Sequence, residues 1–235
     1  MASASPCRVF VSGIGAITPY GVGVPALRDG LYAGRSAIAP IRSFDASRFP
    51  TRIGGELPPL ALEEHFASRD LPWLSTLTAH GVIAGRLALE DSGLTPEQSH
   101  GAGIVFGTGF GTLAESGPHF IKWTEIGDSA ARPTTIPSLM VNAPAAQIAI
   151  YLGLKGPSLV VSTACSSSSH ALGLAYREIR EGRRDVMLAG GGEHALTELM
   201  LLSWSRLHDL APALTDLAVR KPERVASRTA RCRDD

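Results

Sequence analysis

The residue best suited to chemistry is Cys165, in the stretch "VVSTACSSSSHAL" over residues 160–172. A β-branched run precedes it and a string of serines follows. If the run is a strand and the serines open a helix, the thiol stands at a helix N-terminus. Unpaired backbone N–H groups and the helix dipole stabilise a thiolate there. The same N–H groups can hold the oxyanion that forms when a thiolate attacks a thioester. Ala164 and the serines are small, which leaves room for an acyl chain and for a close-packed turn. The opposing reading is a buried, inert cysteine filling a tight corner. The local residues leave both readings open.

Other chemistry-bearing patterns are weaker. "GIGAIT" over residues 13–18 follows an apolar run, as a dinucleotide-binding fingerprint would. The third glycine is missing, however, and Pro19 and Gly21 interrupt the helix that should come next. No acidic residue ends a second strand at the required distance either, so the segment reads as a glycine turn leaving a first strand. "GTGFG" over residues 107–111 lacks the lysine of a phosphate loop and reads as a tight backbone turn. No G-x-S-x-G elbow is present, which counts against a serine hydrolase. The seven histidines are scattered, and His65, His80, His100 and His119 fall in helix or loop contexts with no partner evident. His170 lies five residues beyond Cys165. On a helix that spacing rotates it well over a third of a turn away, a poor geometry for a Cys–His pair.

The elements that must position Cys165 are legible from periodicity. "RVFVSGIGAITPYG" begins as a buried strand, and "VPALRDGLYAG" is a short helix closed by Gly34. Residues 36–60 are loop-rich, with strand character near Arg52 to Leu57. "STLTAHGVIAGRLALEDS" carries a helical stripe and ends before Gly93. "GAGIVFGTGFG" is a strand followed by a glycine loop, and "NAPAAQIAIYLGLKG" is a helix. "PSLVVSTA" is a strand, "SSSSHALGLAYREIREG" a helix, "DVMLAGGGE" a strand and "ALTELMLLSWSRL" a helix. Continuous apolar strands alternating with helices predict an α/β domain around a largely buried sheet.

Bulk properties exclude several classes. Lys+Arg and Asp+Glu are both 22 in 235 residues, so no net charge steers the chain to nucleic acid or anionic lipid. Cys7, Cys165 and Cys232 are odd in number, far apart and without metal-ligand spacing. They indicate a reducing compartment and no metal site. No apolar stretch is long enough to span a bilayer, and the expectation is a soluble cytoplasmic protein. Residues 213–235 are arginine-rich, nearly without aromatics and poorly patterned.

Taken in order, "RVFVSGIGAITPYGVG", "LYAGRSAIAPIRSFDASRFPTRIGGEL", "LALEDSGL", "VFGTGFG", "NAPAAQIAIYLGLKGPSLVVSTACSSSSHALG" and "REGRRDVMLAGGGE" carry a family likeness. The chain resembles the β-ketoacyl synthases, condensing enzymes of the thiolase-like fold, from about Arg8 to Leu210. The resemblance implies one N-terminal half of that fold, a mixed and mostly parallel sheet packed between helices. It implies a synthase domain over residues 1–212, with 213–235 as an irregular tail, disordered or frameshifted. By the resemblance, Cys165 is the nucleophile that takes an acyl group from a carrier-protein thioester, and its own N–H is part of the oxyanion hole. Phe110 matches the position that gates the acyl pocket; an ordinary core aromatic beside a glycine turn is the competing reading. No cofactor is implied beyond the phosphopantetheine of the acyl carrier protein that bears the substrate. The partners implied are that carrier protein and a second synthase subunit, as a homodimer or a paired chain, with no nucleic acid and no membrane.

Family members continue into a second, similar half. It supplies two histidines that assist decarboxylation of the malonyl unit, and nothing in this sequence replaces them. His194 and His208 lack the family's histidine motifs. The expectation is acyl loading on Cys165 without the condensation that follows it in the family. The alternative is a non-catalytic acyl-binding or dimerisation module that partners a second chain.

Overall fold

The computed structural model describes residues 8–207. Cys7, Cys232, His208 and the stretch 213–235 lie outside them. In chain order the strands and helices are β1 (Ile17–Thr18), β2 (Gly21–Val22), α1 (Val24–Tyr32), β3 (Ala39–Pro40), β4 (Ile53–Gly54), α2 (Thr76–Ser92), α3 (Pro96–His100) and β5 (Gly103–Gly107). They continue as α4 (Gly117–Ile126), α5 (Thr135–Leu139), α6 (Ala143–Leu152), β6 (Ser158–Val161), α7 (Ser167–Arg180), β7 (Met187–Gly191) and α8 (Glu198–Arg206). The chain divides into two compact units. Of the described residues, one unit combines 8–16 with Ala61–His194, and the other combines Ile17–Leu60 with 195–207.

The first unit contains a three-stranded sheet of order β6-β5-β7, with both neighbours of β5 parallel to it. Every residue of β5 is buried. Alternation along the strand sends Val105 to one face, where it packs with Ala171 and Ala175 of α7 and with Met187 and Ala189 of β7. On the other face, Phe106 and Leu188 meet the side where α2 packs on α6 through Gly81, Gly85 and Ile148. A strand covered on both faces reads as an unbroken apolar run, as "GIVFG" does, whereas the edge strand "SLVV" leaves Ser158 and Leu159 exposed. Helix α2 starts where Ser75 accepts a hydrogen bond from the Thr78 N–H and ends at Gly93, whose φ is 66°.

In the second unit, short antiparallel pairs β1–β2 and β3–β4 accompany α1 and α8. Its core gathers Ala46, Phe49 and Leu201, with Ile41 and Phe44 packed against them.

The expected first strand is not formed. Residues 8–16 have no ladder partner among the described residues, and Phe10 and Val11 are exposed. The segment lies along α2 instead. Positions 13 and 15 approach the α2 backbone so closely that side-chain carbons there would meet the carbonyls of Ala88 and Ala84, and the Ile14 N–H donates to the Asp91 carboxylate at 2.9 Å. A β-branched pattern fits a pleated surface only where a neighbouring strand accepts its hydrogen bonds. Helix α4 was not foreshadowed by the sequence patterns above, and its Phe120, Ile121 and Trp123 are exposed.

The start of α7 is seated on the carboxyl end of the sheet by glycine. A Cβ on Gly107 would sit 2.4 Å from the Ser167 carbonyl carbon, and one on Gly191 would sit 2.1 Å from the Gly107 carbonyl oxygen. Both approaches are backbone to backbone, so no rotamer change relieves them. Gly107→Ala is therefore expected to lower unfolding free energy by about 1–3 kcal/mol, the usual cost of overpacking. Gly101→Ala, where nothing lies within 4 Å, should leave the urea midpoint nearly unchanged. Equal midpoints for the two variants would contradict this account of how α7 is seated.

Candidate active site

Strand β6 ends at Val161 and α7 begins at Ser167, and Cys165 lies in the turn between them. Ser166 is the residue before the first helical one, so the thiol stands immediately ahead of the helix start. Cys165 is a free, exposed cysteine. The turn is sharp enough to force Ala164 to φ 52°, the one non-glycine residue with positive φ among those described. That conformation costs an L-residue about 1–2 kcal/mol, and it persists only where surrounding bonds hold it.

Those bonds converge on Ser167, which is buried. Its hydroxyl accepts from the Thr163 N–H at 2.9 Å and donates to the Ala164 carbonyl at 2.7 Å, with the Thr108 carbonyl at 3.2 Å as a further acceptor. Backbone N–H groups of Ser166 and Ser167 donate to the carbonyls of Thr163 and Ala164. Ser166 Oγ donates to the Thr163 carbonyl at 2.8 Å. Thr163 Oγ1 lies 2.6 Å from His170 Nδ1, so His170 is engaged with the turn rather than standing as a free base. The run of serines thus does more than leave space. Its second member, Ser167, fixes the backbone that carries the thiol.

The glycine loop after β5 lies alongside. The Ser162 hydroxyl donates to the Gly109 carbonyl at 3.1 Å, and a side chain on Gly109 would come within 3.9 Å of Ala164 Cα. Phe110 follows Gly109, is exposed, and leads into a 3₁₀ turn over Gly111–Glu115. The two residues singled out from sequence therefore sit on adjoining loops. A third residue was missed: Glu193, just past β7, accepts hydrogen bonds from the Gly109 N–H at 2.7 Å and the Phe110 N–H at 3.1 Å. The available signal was an acid directly after the glycines of "AGGGE".

Electrostatics nearby involve two histidines, of which the sequence reading left His80 without an evident partner. The rings of His80 on α2 and His194 are 6.4 Å apart and nearly perpendicular. Burial, and then the neighbouring His194, push the His80 imidazole below its usual pKa, while Glu115 pulls the other way. Glu115 itself accepts from the Thr76 and Leu77 N–H groups at 2.7 and 2.9 Å, an anion at the positive end of α2.

Ser167→Ala removes the acceptor of the Thr163 N–H and the donor that braces Ala164. The expected loss is about 1–3 kcal/mol, as for a buried group left unpaired. Cys165 labelling should become less uniform as the turn loosens. Urea unfolding together with thiol-labelling kinetics checks this, and an unchanged variant in both would remove Ser167 from its bracing role.

Comparison with known proteins sets this arrangement in a lineage. Residues 7–220 match the family described as Beta-ketoacyl synthase, N-terminal domain. A 3-oxoacyl-(acyl-carrier-protein) synthase 2 of Vibrio cholerae serotype O1 is 37% identical over 82% of this chain and 47% of its own length. The chloroplastic 3-oxoacyl-(acyl-carrier-protein) synthase I of Arabidopsis thaliana is 34% identical over 83% of this chain and 42% of its own. Among solved structures, the ishigamide ketosynthase/chain length factor superposes with a TM-score of 0.80 at 27% identity, covering 88% of this chain and 52% of that one. The chain spans about half the length of the curated relatives it matches. Sequence and fold agree: the chain belongs to the β-ketoacyl synthase family and carries the N-terminal half of its thiolase-like α/β fold.

Proposed function

We propose that this chain performs the acyl-loading step of a β-ketoacyl synthase, with Cys165 as the acceptor. The observation that carries the reading is the exposed thiol on a strained turn, ahead of α7 and beside the Gly109–Phe110 loop. The Cys165 thiolate attacks the carbonyl of an acyl group held as a thioester on the phosphopantetheine of an acyl carrier protein. The tetrahedral oxyanion collapses, the carrier's C–S bond breaks, and the carrier leaves as a thiolate that takes a proton from water, with the acyl group bound to Cys165. The Cys165 N–H donates to the oxyanion, and Phe110 gates the acyl chain. The names of the curated relatives support the carrier protein as donor.

Condensation with a malonyl unit is a separate demand. It needs donors that stabilise the carbanion released with carbon dioxide. The family likeness assigns these to histidines of a second half that has no counterpart in these 235 residues. The loading step is therefore the part of fatty-acid or polyketide elongation that this chain performs alone. The chain associates as a homodimer or with a paired synthase chain, and condensation requires a partner that carries those histidines; the ketosynthase/chain length factor neighbour supports such pairing. Exposed apolar side chains on the edge strand β6 and on α7, Leu159, Leu172 and Tyr176, fit an associating surface. No helix among the described residues is long and apolar enough to cross a membrane.

Two measurements test this function. The purified chain, incubated with an acyl carrier thioester, should gain one acyl mass that Cys165→Ala abolishes. It should yield no ketoacyl product from malonyl carrier protein. Iodoacetamide should modify Cys165 faster than Cys7 or Cys232 at neutral pH. Steady product turnover would overturn the loading-only reading. A folded sample without any adduct would favour the non-catalytic module. Separately, sedimentation of the chain should give dimers or larger species, and a clean monomer would remove the associating surface.

A further inference from the structure

Glu193 is exposed, yet its carboxylate is fully engaged with one loop. Oε2 accepts from the Gly109 N–H at 2.7 Å and the Phe110 N–H at 3.1 Å, and both carboxylate oxygens lie 3.2 Å from Thr108 Oγ1. Thr108 Oγ1 in turn accepts from the Gly111 N–H at 2.9 Å. One anion therefore fixes, directly or through Thr108, four consecutive residues that bracket Phe110. Bonds from N–H to a carboxylate are about twice as strong as neutral ones. A side chain on Gly109 would come within 3.1 Å of Oε2, so glycine is what lets the acid approach. No salt bridge among the described residues competes for this carboxylate.

The placement of the acid matters as much as its bonds. Glu193 follows Gly191 and Gly192 at the exit of β7, and the Gly192 N–H donates to the Gly107 carbonyl at 3.1 Å. The loop it grips leaves β5, and on its far side Ser162 ties the same loop to the turn of Cys165. The Phe110 backbone is thus held between the exits of two flanking strands. We propose that Glu193 is a positioning residue: by fixing the Gly109–Phe110 backbone it sets where Phe110 stands, and so which acyl chains reach Cys165. This rests on the loading function proposed above. It adds the residue that determines chain-length discrimination.

The test uses the full chain and the variants Glu193→Ala, Glu193→Asp, Glu193→Gln, Phe110→Ala and the Glu193→Ala/Phe110→Ala double. Hydrogen exchange at the Gly109 and Phe110 amides reads the clamp without any acyl chemistry. Exchange should quicken roughly tenfold in Glu193→Ala, the loss of about one charge-assisted bond. It should quicken too in Glu193→Asp, whose shorter stem withdraws the acceptor. Glu193→Gln keeps an oxygen within reach but accepts neutral bonds about half as strong, so its exchange should fall between the parent and Glu193→Ala. Discrimination is read as the ratio of Cys165 labelling by N-octylmaleimide to labelling by N-methylmaleimide, and as the ratio of octanoyl to acetyl adducts from the carrier thioesters.

In Glu193→Ala both ratios should move to the values of Phe110→Ala, and the double variant should move no further. Additive effects in the double variant, or faster exchange with unchanged ratios, would overturn the proposal. So would unchanged exchange in folded Glu193→Ala. Should that variant fail to fold, Glu193→Asp decides by the same criteria. A parent chain that forms no acyl adduct defeats the loading function, whereas the exchange and maleimide arms still decide the role of Glu193.

Discussion

Parallel strand direction is the constraint on which the site depends. Because β6, β5 and β7 run the same way, their carboxyl ends open on one edge of the sheet. Three loops leave that edge: the turn with Cys165 after β6, the loop with Phe110 after β5, and Glu193 after β7. Residues 110, 165 and 193 are far apart in the chain, and nothing local brings them together. The pairing of Gly107 with both Val161 and Gly191 does. Helix α7 then comes down on this edge because Gly107 and Gly191 present no side chain to it. Register and backbone contact set the site before any side chain acts.

Side chains then hold the loops against their own strain. Ala164 stands at positive φ, and a lone serine hydroxyl, Ser167, both accepts from and donates to the turn that contains it. Glu193 does the corresponding work for the loop of Phe110 with a charge. The two differ in burial: Ser167 is inaccessible and Glu193 is exposed. A buried hydroxyl is costly to leave unpaired, so it suits a fixed turn. An exposed carboxylate is partly screened by water, so each of its bonds counts for less than the same bond would in the interior, and Glu193 makes up for this with several bonds at once.

The sequence carried the local elements well. Ser75 and Gly93 bound α2 as cap chemistry requires, and the strand–turn–helix around Cys165 stands where its pattern put it. What it carried poorly was anything decided by distant partners. The apolar run at residues 8–11 predicts a strand, but a strand needs a neighbour, and among the described residues the segment lies on α2 instead. Ser167 looked like filler because its worth lies in meeting Thr163 and Thr108. Glu193 looked like a strand end because the amides it accepts from are 83 and 84 residues away. His80 read as unpartnered for the same reason, although its ring lies 6.4 Å from that of His194. Periodicity reports one element's faces, and hydrogen bonds between loops leave no period.

Why half of such a fold could do part of its chemistry follows from what each step asks. Acyl transfer from one thiol to another exchanges like for like, so in the proposed function it needs a nucleophile, oxyanion donors and space for the chain. In that reading the thiol and one oxyanion donor, the Cys165 N–H, come from the β6–α7 turn, and the loop beside it carries Phe110. Carbon–carbon bond formation differs, because charge develops on a second substrate that must be met by preorganised donors of its own. Several donors on this sheet edge are already committed: the Gly109 and Phe110 amides to Glu193, and the Ser166 and Ser167 amides to their own turn. Amides spent on shaping one loop and one turn are not free to meet a second developing charge, and in the proposed function that task falls to donors of another half.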